Sequence, residues 1–136
     1  MSNGNIMKVW GERRRLLLTN ETEIDLLYVK KDNFCSRHLH KTKINKFVVI
    51  EGEVRIETEF GKKVLHKNES FEVQPSILHR FIALENSIMI ELAYVIEGFI
   101  QPKDIKRIKQ GGRIVNGKEM TENSMRKKGL LDLWKK

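Results

Sequence analysis

The run "KFVVIEGEVRIETEFGKKVL", residues 46–65, restricts the fold more than any other stretch. Val54, Ile56, Thr58 and Phe60 alternate with Arg55, Glu57 and Glu59. That period of two puts apolar side chains on one face of a strand and leaves the other face wet. Glu51-Gly52-Glu53 and Gly61 divide the run into strand, turn, strand, turn, strand. The same grammar covers most of the chain. "IDLLYVK", "SFEVQP", "HRFIALE" and the long apolar "SIMIELAYVIEGF" read as strands, "KDN" and "PSIL" as turns, and "MKVWGERRRLLL" as an edge strand. No segment has a convincing amphipathic-helix pattern. Many short strands with regular turns predict an all-β sandwich or small barrel, and 136 residues suffice for one such domain with its own core.

Charge separates the barrel from the C-terminal segment. Residues 1–100 hold 15 Lys and Arg against 14 Asp and Glu, while residues 101–136 hold 11 against 4. The net charge of +8 therefore belongs to the end of the chain and says little about the main domain's partner. Residues 109–136 are read as a basic tail, partly docked or flexible, behind a barrel spanning 1–108. "DIKRI" offers a last short strand, and Leu130, Leu131, Leu133 and Trp134 a patch able to dock on the barrel or a second subunit. The tail lacks interleaved aromatics and a folded basic face, so nucleic acid is not an expected partner. No apolar run reaches the length of about 20 residues that a membrane helix needs. The opening "MSNGNIMKVW" lacks the basic-then-apolar layout of a signal peptide, and a cytoplasmic location is expected. The lone Cys35 excludes an internal disulfide framework and reads as a small buried residue.

The chemistry-bearing residues are histidines. His38 and His40, in "HLHKTKINKF", stand at i and i+2, so on an extended strand both imidazoles project to one side and can reach one ion. Asn45, Phe47 and Val49 also share one parity, which places a polar group beside apolar ones, as at the mouth of an apolar barrel. His79 follows a turn at the start of a distant strand, from where a closed barrel can bring it opposite the first pair. His66, beside Lys67 and Asn68, reads as a solvent-facing turn residue.

"HLHKTKINKFVVIEGEV" followed by "PSILHRF" resembles the two motifs of the cupin superfamily. By position His38, His40 and His79 match the metal histidines, and Gly52 and Pro75 the turn residues. Asn45 stands where the pattern has a Glu ligand, and Ser76 where the second motif has Gly. "KVWGE", "HRFIALENSIMIEL" and "PKDIKRI" extend the likeness over residues 8–108 to the mannose-6-phosphate isomerase half of bifunctional mannose-1-phosphate guanylyltransferase/isomerases. The resemblance implies a double-stranded β-helix, or jelly roll, and a divalent metal (Zn, Mn or Fe) held by His38, His40 and His79. It also implies a carbohydrate or sugar-phosphate substrate, aldose–ketose isomerisation and a homodimer.

Asn45 is then a weak ligand or a partner to the ligands; its amide carries no charge, which favours Zn²⁺ over ions that lean on carboxylates. Arg80 is a candidate for binding substrate oxygen or phosphate, or else a surface ion pair, since strand alternation turns it away from His79. Glu91, the acid inside the apolar strand "IMIELAY", is either the general base or an acid paired with Arg55 or Arg80. Lys41 and Lys43 could help to recruit an anion. Two other readings stay open: a cupin that binds a small carbohydrate or metabolite without turnover, and a three-histidine iron dioxygenase.

Overall fold

The computed structural model describes residues 5–131. In chain order the strands are β1 (Asn5–Lys8), β2 (Gly11–Leu18), β3 (Thr22–Val29), the short β4 (Asn33–Phe34) and β5 (Arg37–Leu39), β6 (Ile44–Glu51), β7 (Val54–Thr58), β8 (Gly61–Leu65), β9 (Ser70–Val73), β10 (His79–Ala83) and β11 (Ser87–Tyr94). After them come β12 (Lys106–Lys109), β13 (Gly112–Val115), β14 (Lys118–Thr121) and the helix α1 (Glu122–Lys127). One sheet has the order β1-β2-β3-β11-β6-β9 and the other β12-β5-β10-β4-β13-β14, with β7 joining the second through β10 and carrying β8. The pairings are antiparallel and the whole is the double-stranded β-helix expected.

Alternation explains the core. Leu27, Phe47, Val49, Ile56, Phe81 and Met89 point between the sheets and are almost completely buried. Each such side chain stabilises the fold by roughly 1.5–3 kcal/mol. Gly52, in the turn between β6 and β7, has φ of +96°, and a Cβ there would lie 2.3 Å from Ser87 Oγ. Only glycine closes this hairpin against the start of β11.

Two sequence expectations need correction. The alternating face of β7 is not wet throughout, because Glu57 is 4 % exposed, while Phe60, placed with the apolar set, sits in the turn and is 79 % exposed. The segment beyond residue 108 is also more than a tail: β13 pairs with β4 through Gly112↔Phe34 and Arg113↔Asn33, and with β14 through four register pairs. Asn116 (φ 52°) and Gly117 (φ 79°) form the turn of that hairpin, the positive-φ pair such a tight connection requires. Thr121 caps α1 by accepting from the backbone N–H of Ser124, and Met125 anchors the helix in the interior. Of the patch expected to dock, Leu133 and Trp134 lie outside the described residues. Among the described residues no helix is long and apolar enough to cross a membrane.

Candidate functional site

β5 and β10 run antiparallel with His79 opposite His38, so the register itself delivers the third imidazole to the first two. Ring centroids stand 4.6 Å apart for His38 and His79, 5.0 Å for His38 and His40, and 5.6 Å for His40 and His79. One ligand nitrogen from each ring lies within 4.8 Å of the other two. All three side chains are buried.

The backbone fixes which nitrogen faces inward. His38 Nδ1 lies 2.8 Å from the Ser36 carbonyl, His40 Nδ1 2.6 Å from that of Asp104, and His79 Nδ1 2.8 Å from that of Ile77. A carbonyl only accepts, so each Nδ1 carries the proton and each Nε2 keeps a lone pair for the interior. Burial, then the neighbouring His79 and His40, pushes His38 down to about 3. Burial, with some help from His40, pushes His79 down to about 4, and burial lowers His40 as well. At neutral pH the three rings are uncharged, the state a metal ion needs.

Two buried polar atoms here have no hydrogen-bond partner among the described residues: His79 Nε2 and Asn45 Oδ1. An orphaned buried acceptor costs about 1–3 kcal/mol, and a divalent ion held among the three rings would give His79 Nε2 its partner. The donor set therefore fits a metal. Three neutral imidazoles suit a divalent transition-metal ion and leave room for further ligands.

The segment between β11 and β12 supports His40. Asp104 gives its carbonyl to that ring, while its carboxylate accepts from the backbone N–H groups of Lys41 (2.6 Å) and Thr42 (3.0 Å) and from the Thr42 hydroxyl (2.7 Å). Ser76, at the expected glycine position, adopts φ of 69° and donates its N–H to the His40 carbonyl at 2.6 Å. A left-handed residue with a Cβ is strained by roughly 1–2 kcal/mol. Ser76→Gly is expected to raise the stability by about 0.5–1 kcal/mol after the greater chain entropy of glycine is charged against it. Thermal melts check this; an unchanged or lower Tm would show the turn to be relaxed.

His38 and His40 open on a cavity of about 730 Å³, within the usual range of small-molecule sites. Its floor is apolar, with Trp10, Phe47 and Phe81, and one wall is charged. Across the first sheet Arg15 pairs with Asp25, Asp25 with Glu91, and Glu91 with Phe47, so their side chains share the inner face. Arg15 Nε donates to Asp25 at 2.6 Å and a terminal nitrogen to Glu23 at 3.1 Å, and Lys43 reaches Glu23 at 3.2 Å. Glu91 accepts from Asn45 Nδ2 at 2.6 Å. Burial, then the charge of Asp25, pushes Glu91 up to about 7.

Of the residues singled out in the sequence, His38, His40, Asn45 and Glu91 line this space, His79 packs against the two histidines, and Glu91 pairs with Asn45 rather than with Arg55 or Arg80. Arg80 does not join them. It leaves the opposite face of β10, where Nε donates to Glu57 at 3.1 Å and the terminal nitrogens to Glu119 at 2.9 and 2.6 Å. Arg15, Glu23 and Asp25 were missed. Their signal was parity: Glu23 and Asp25 are in phase with Leu27 and Val29, the buried face of β3. Cys35 is buried and accepts from the Phe81 N–H, and burial pushes its thiol up to about 12, so it is inert.

Residues 2–110 match the family described as Mannose-6-phosphate isomerase C-terminal. No curated protein matches the chain. Among solved structures, KdgF from Halomonas sp. is similar at 21 % identity, over 63 % of this chain and 79 % of that one, with a TM-score of 0.59. An RmlC-like cupin from Shewanella frigidimarina is 22 % identical over 71 % of this chain and 81 % of its own, with a TM-score of 0.58. Ectoine synthase from P. lautus is 16 % identical over 89 % and 91 %, with a TM-score of 0.65. At such identities these neighbours speak for the fold alone.

Proposed function

The chain belongs to the mannose-6-phosphate isomerase C-terminal family of cupins, and we propose that it is a metal-dependent aldose–ketose isomerase acting on a sugar or sugar phosphate. The observation that carries the reading is the convergence of three imidazole nitrogens on one another, two of the three histidines lining the cavity that also holds Glu91. His38, His40 and His79 would hold a divalent ion, with Asn45 Oδ1 beside them. A bound ion would supply electrophilic stabilisation of a developing negative charge on a substrate oxygen.

Glu91 is the residue suited to move that proton. A carboxyl group held at about 7 exists in both forms at neutral pH, so it can accept a proton from one carbon and return it to the next. Asn45 Nδ2 holds one of its oxygens at 2.6 Å and fixes its direction. Arg15, Glu23 and Lys43 form a wall of paired charges able to hydrogen-bond sugar hydroxyls, while Trp10, Phe47 and Phe81 keep water from the floor. The reading includes a cytoplasmic homodimer, its subunit number testable by light scattering of the purified chain.

The test uses protein purified without a metal-affinity step. Elemental analysis is expected to give about one divalent ion per chain, and a coupled assay to detect fructose-6-phosphate formed from mannose-6-phosphate, lost on chelation. A stoichiometry near zero, with no thermal stabilisation by Zn²⁺, Mn²⁺ or Fe²⁺, removes the metal-dependent readings together, the iron dioxygenase included. The uncharged Asn45 favours the second reading, a carbohydrate-binding cupin without turnover; metal found without isomerase activity selects it. Asn45→Glu is expected to tighten metal binding by about tenfold or more, because it sets a carboxylate next to the ion. Unchanged affinity in that variant would place residue 45 outside the ligand set.

A further inference from the structure

The interior cations of this chain are nearly all paired. Arg15 is held by Glu23 and Asp25, Lys43 by Glu23, Arg80 by Glu57 and Glu119, and Arg37 and Arg55 by Glu57. Two cations that line the cavity, and an exposed third on the neighbouring strand, break the pattern. Lys8 and Arg13 line it together with His38 and His40. In the β1–β2 hairpin Lys8 lies opposite Gly11 and Ile6 opposite Arg13, so Lys8 and Arg13 are diagonal neighbours on one face, about 7–8 Å apart. Arg107 of β12 lies opposite His38 of β5 and therefore leaves the sheet on the side of that ring.

No carboxylate is ion-paired with any of the three among the described residues, and Arg13 Nε is buried with no hydrogen-bond partner. The cluster carries the electrostatic penalty expected of it. Burial, then the charges of Arg13 and Arg107, holds the Lys8 ammonium below its ordinary range. Glu122, which also lines the cavity, and Asp25 offset this only in part, and Asp25 is already bonded to Arg15.

We propose that Lys8, Arg13 and Arg107 form an anion site that binds the phosphate or carboxylate of the small-molecule ligand whose other end faces the histidines. The inference rests on the reading of this cavity as the ligand site, and it moves anion recognition away from Arg80, whose donors are spent on Glu57 and Glu119. A guanidinium offers such a group two parallel hydrogen bonds and an ammonium a compact charge. The anion would give the orphaned Arg13 donor an acceptor and relieve the repulsion that the half-buried Lys8 feels from Arg13 and from the exposed Arg107.

Calorimetric titration of the metal-free full chain with inorganic phosphate, and separately with gluconate, tests the site. Saturable binding that weakens with salt is expected for at least one of the two, and the tighter one identifies the anion. Lys8→Gln and Arg13→Gln should each weaken it by about tenfold, Arg13→Lys by less, and Arg126→Gln, on the exposed helix, not at all. Binding that is absent in the wild type, or equal in the wild type and the folded Lys8→Gln/Arg13→Gln double variant, overturns the proposal. Metal content of the protein as purified, before the ion is removed for these titrations, keeps the two conclusions apart: anion binding without a metal site would sink the isomerase reading alone, and a metal site without anion binding would sink this one alone.

Discussion

Replacing His79 by alanine is expected to cut the affinity for Zn²⁺ by about 100-fold or more, the largest effect that a single side chain here can have on ligand binding. The ring reaches the centre because β10 pairs with β5 in a register that sets it opposite His38, and the Ile77 carbonyl holds its proton on Nδ1. With it gone, His38 and His40 remain as two neutral donors on one short strand, and two imidazoles leave a divalent ion mostly to water. Competition with a chromogenic chelator at pH 7 measures the loss. His79→Gln keeps much of the volume and separates ligand loss from collapse: its metal affinity should also fall while its apo melt stays close to the wild type. The same Kd in both variants and the wild type would mean that the ion, if bound, sits elsewhere.

The parts of this centre that can be read from the sequence are those governed by local spacing. His38 and His40 one residue apart, and Asn45 in phase with Phe47, are statements about strand parity, and parity survives folding. His79 requires a closed barrel as well, which the density of short strands and the motif resemblance provide. What stays hidden depends on partners distant in the chain. The His40 ring is held by the carbonyl of Asp104, 64 residues away, and nothing near either residue announces it. Glu57 looks wet because its neighbours Arg55 and Glu59 are polar, yet guanidinium groups from Arg37, Arg55 and Arg80 surround it. Arg80 is held there in turn by Glu119, a partner invisible as long as residues 112–121 are read as tail, although Asn116-Gly117 between "RIV" and "KEM" is a hairpin signal. Glu23 and Asp25 fail for the opposite reason: acids in phase with a core face look like an error of register until Arg15 is found to neutralise them.

That same hairpin sets the role of Arg80, and with it the other large effect: Arg80→Ala is expected to cost about 3–5 kcal/mol of stability, on the order of 10 °C in Tm, with metal affinity unchanged. The side chain is 4 % exposed, stacks 4.8 Å over the Phe34 ring, and joins β10 to β14 through Glu119 and to β7 through Glu57. The electrostatics run in the stabilising direction. Hydrogen bonding to Arg80 lowers Glu119, and although burial alone would raise Glu57, the charge of Arg80 brings it down. Truncation leaves Glu57 short of its best partner, Glu119 with none of its paired donors, and a hole beside Phe34. Arg80→Lys should recover only part of the loss, since an ammonium cannot bond both Glu119 oxygens and Glu57 in one plane. Denaturant melts of both variants, with Zn²⁺ titrations alongside, distinguish this role from a ligand-binding one. If Arg80 met substrate instead, its removal would spare the melt and weaken ligand binding. The geometry requires the reverse, because every donor on the guanidinium that bonds an acid does so on the face of β10 turned away from His79.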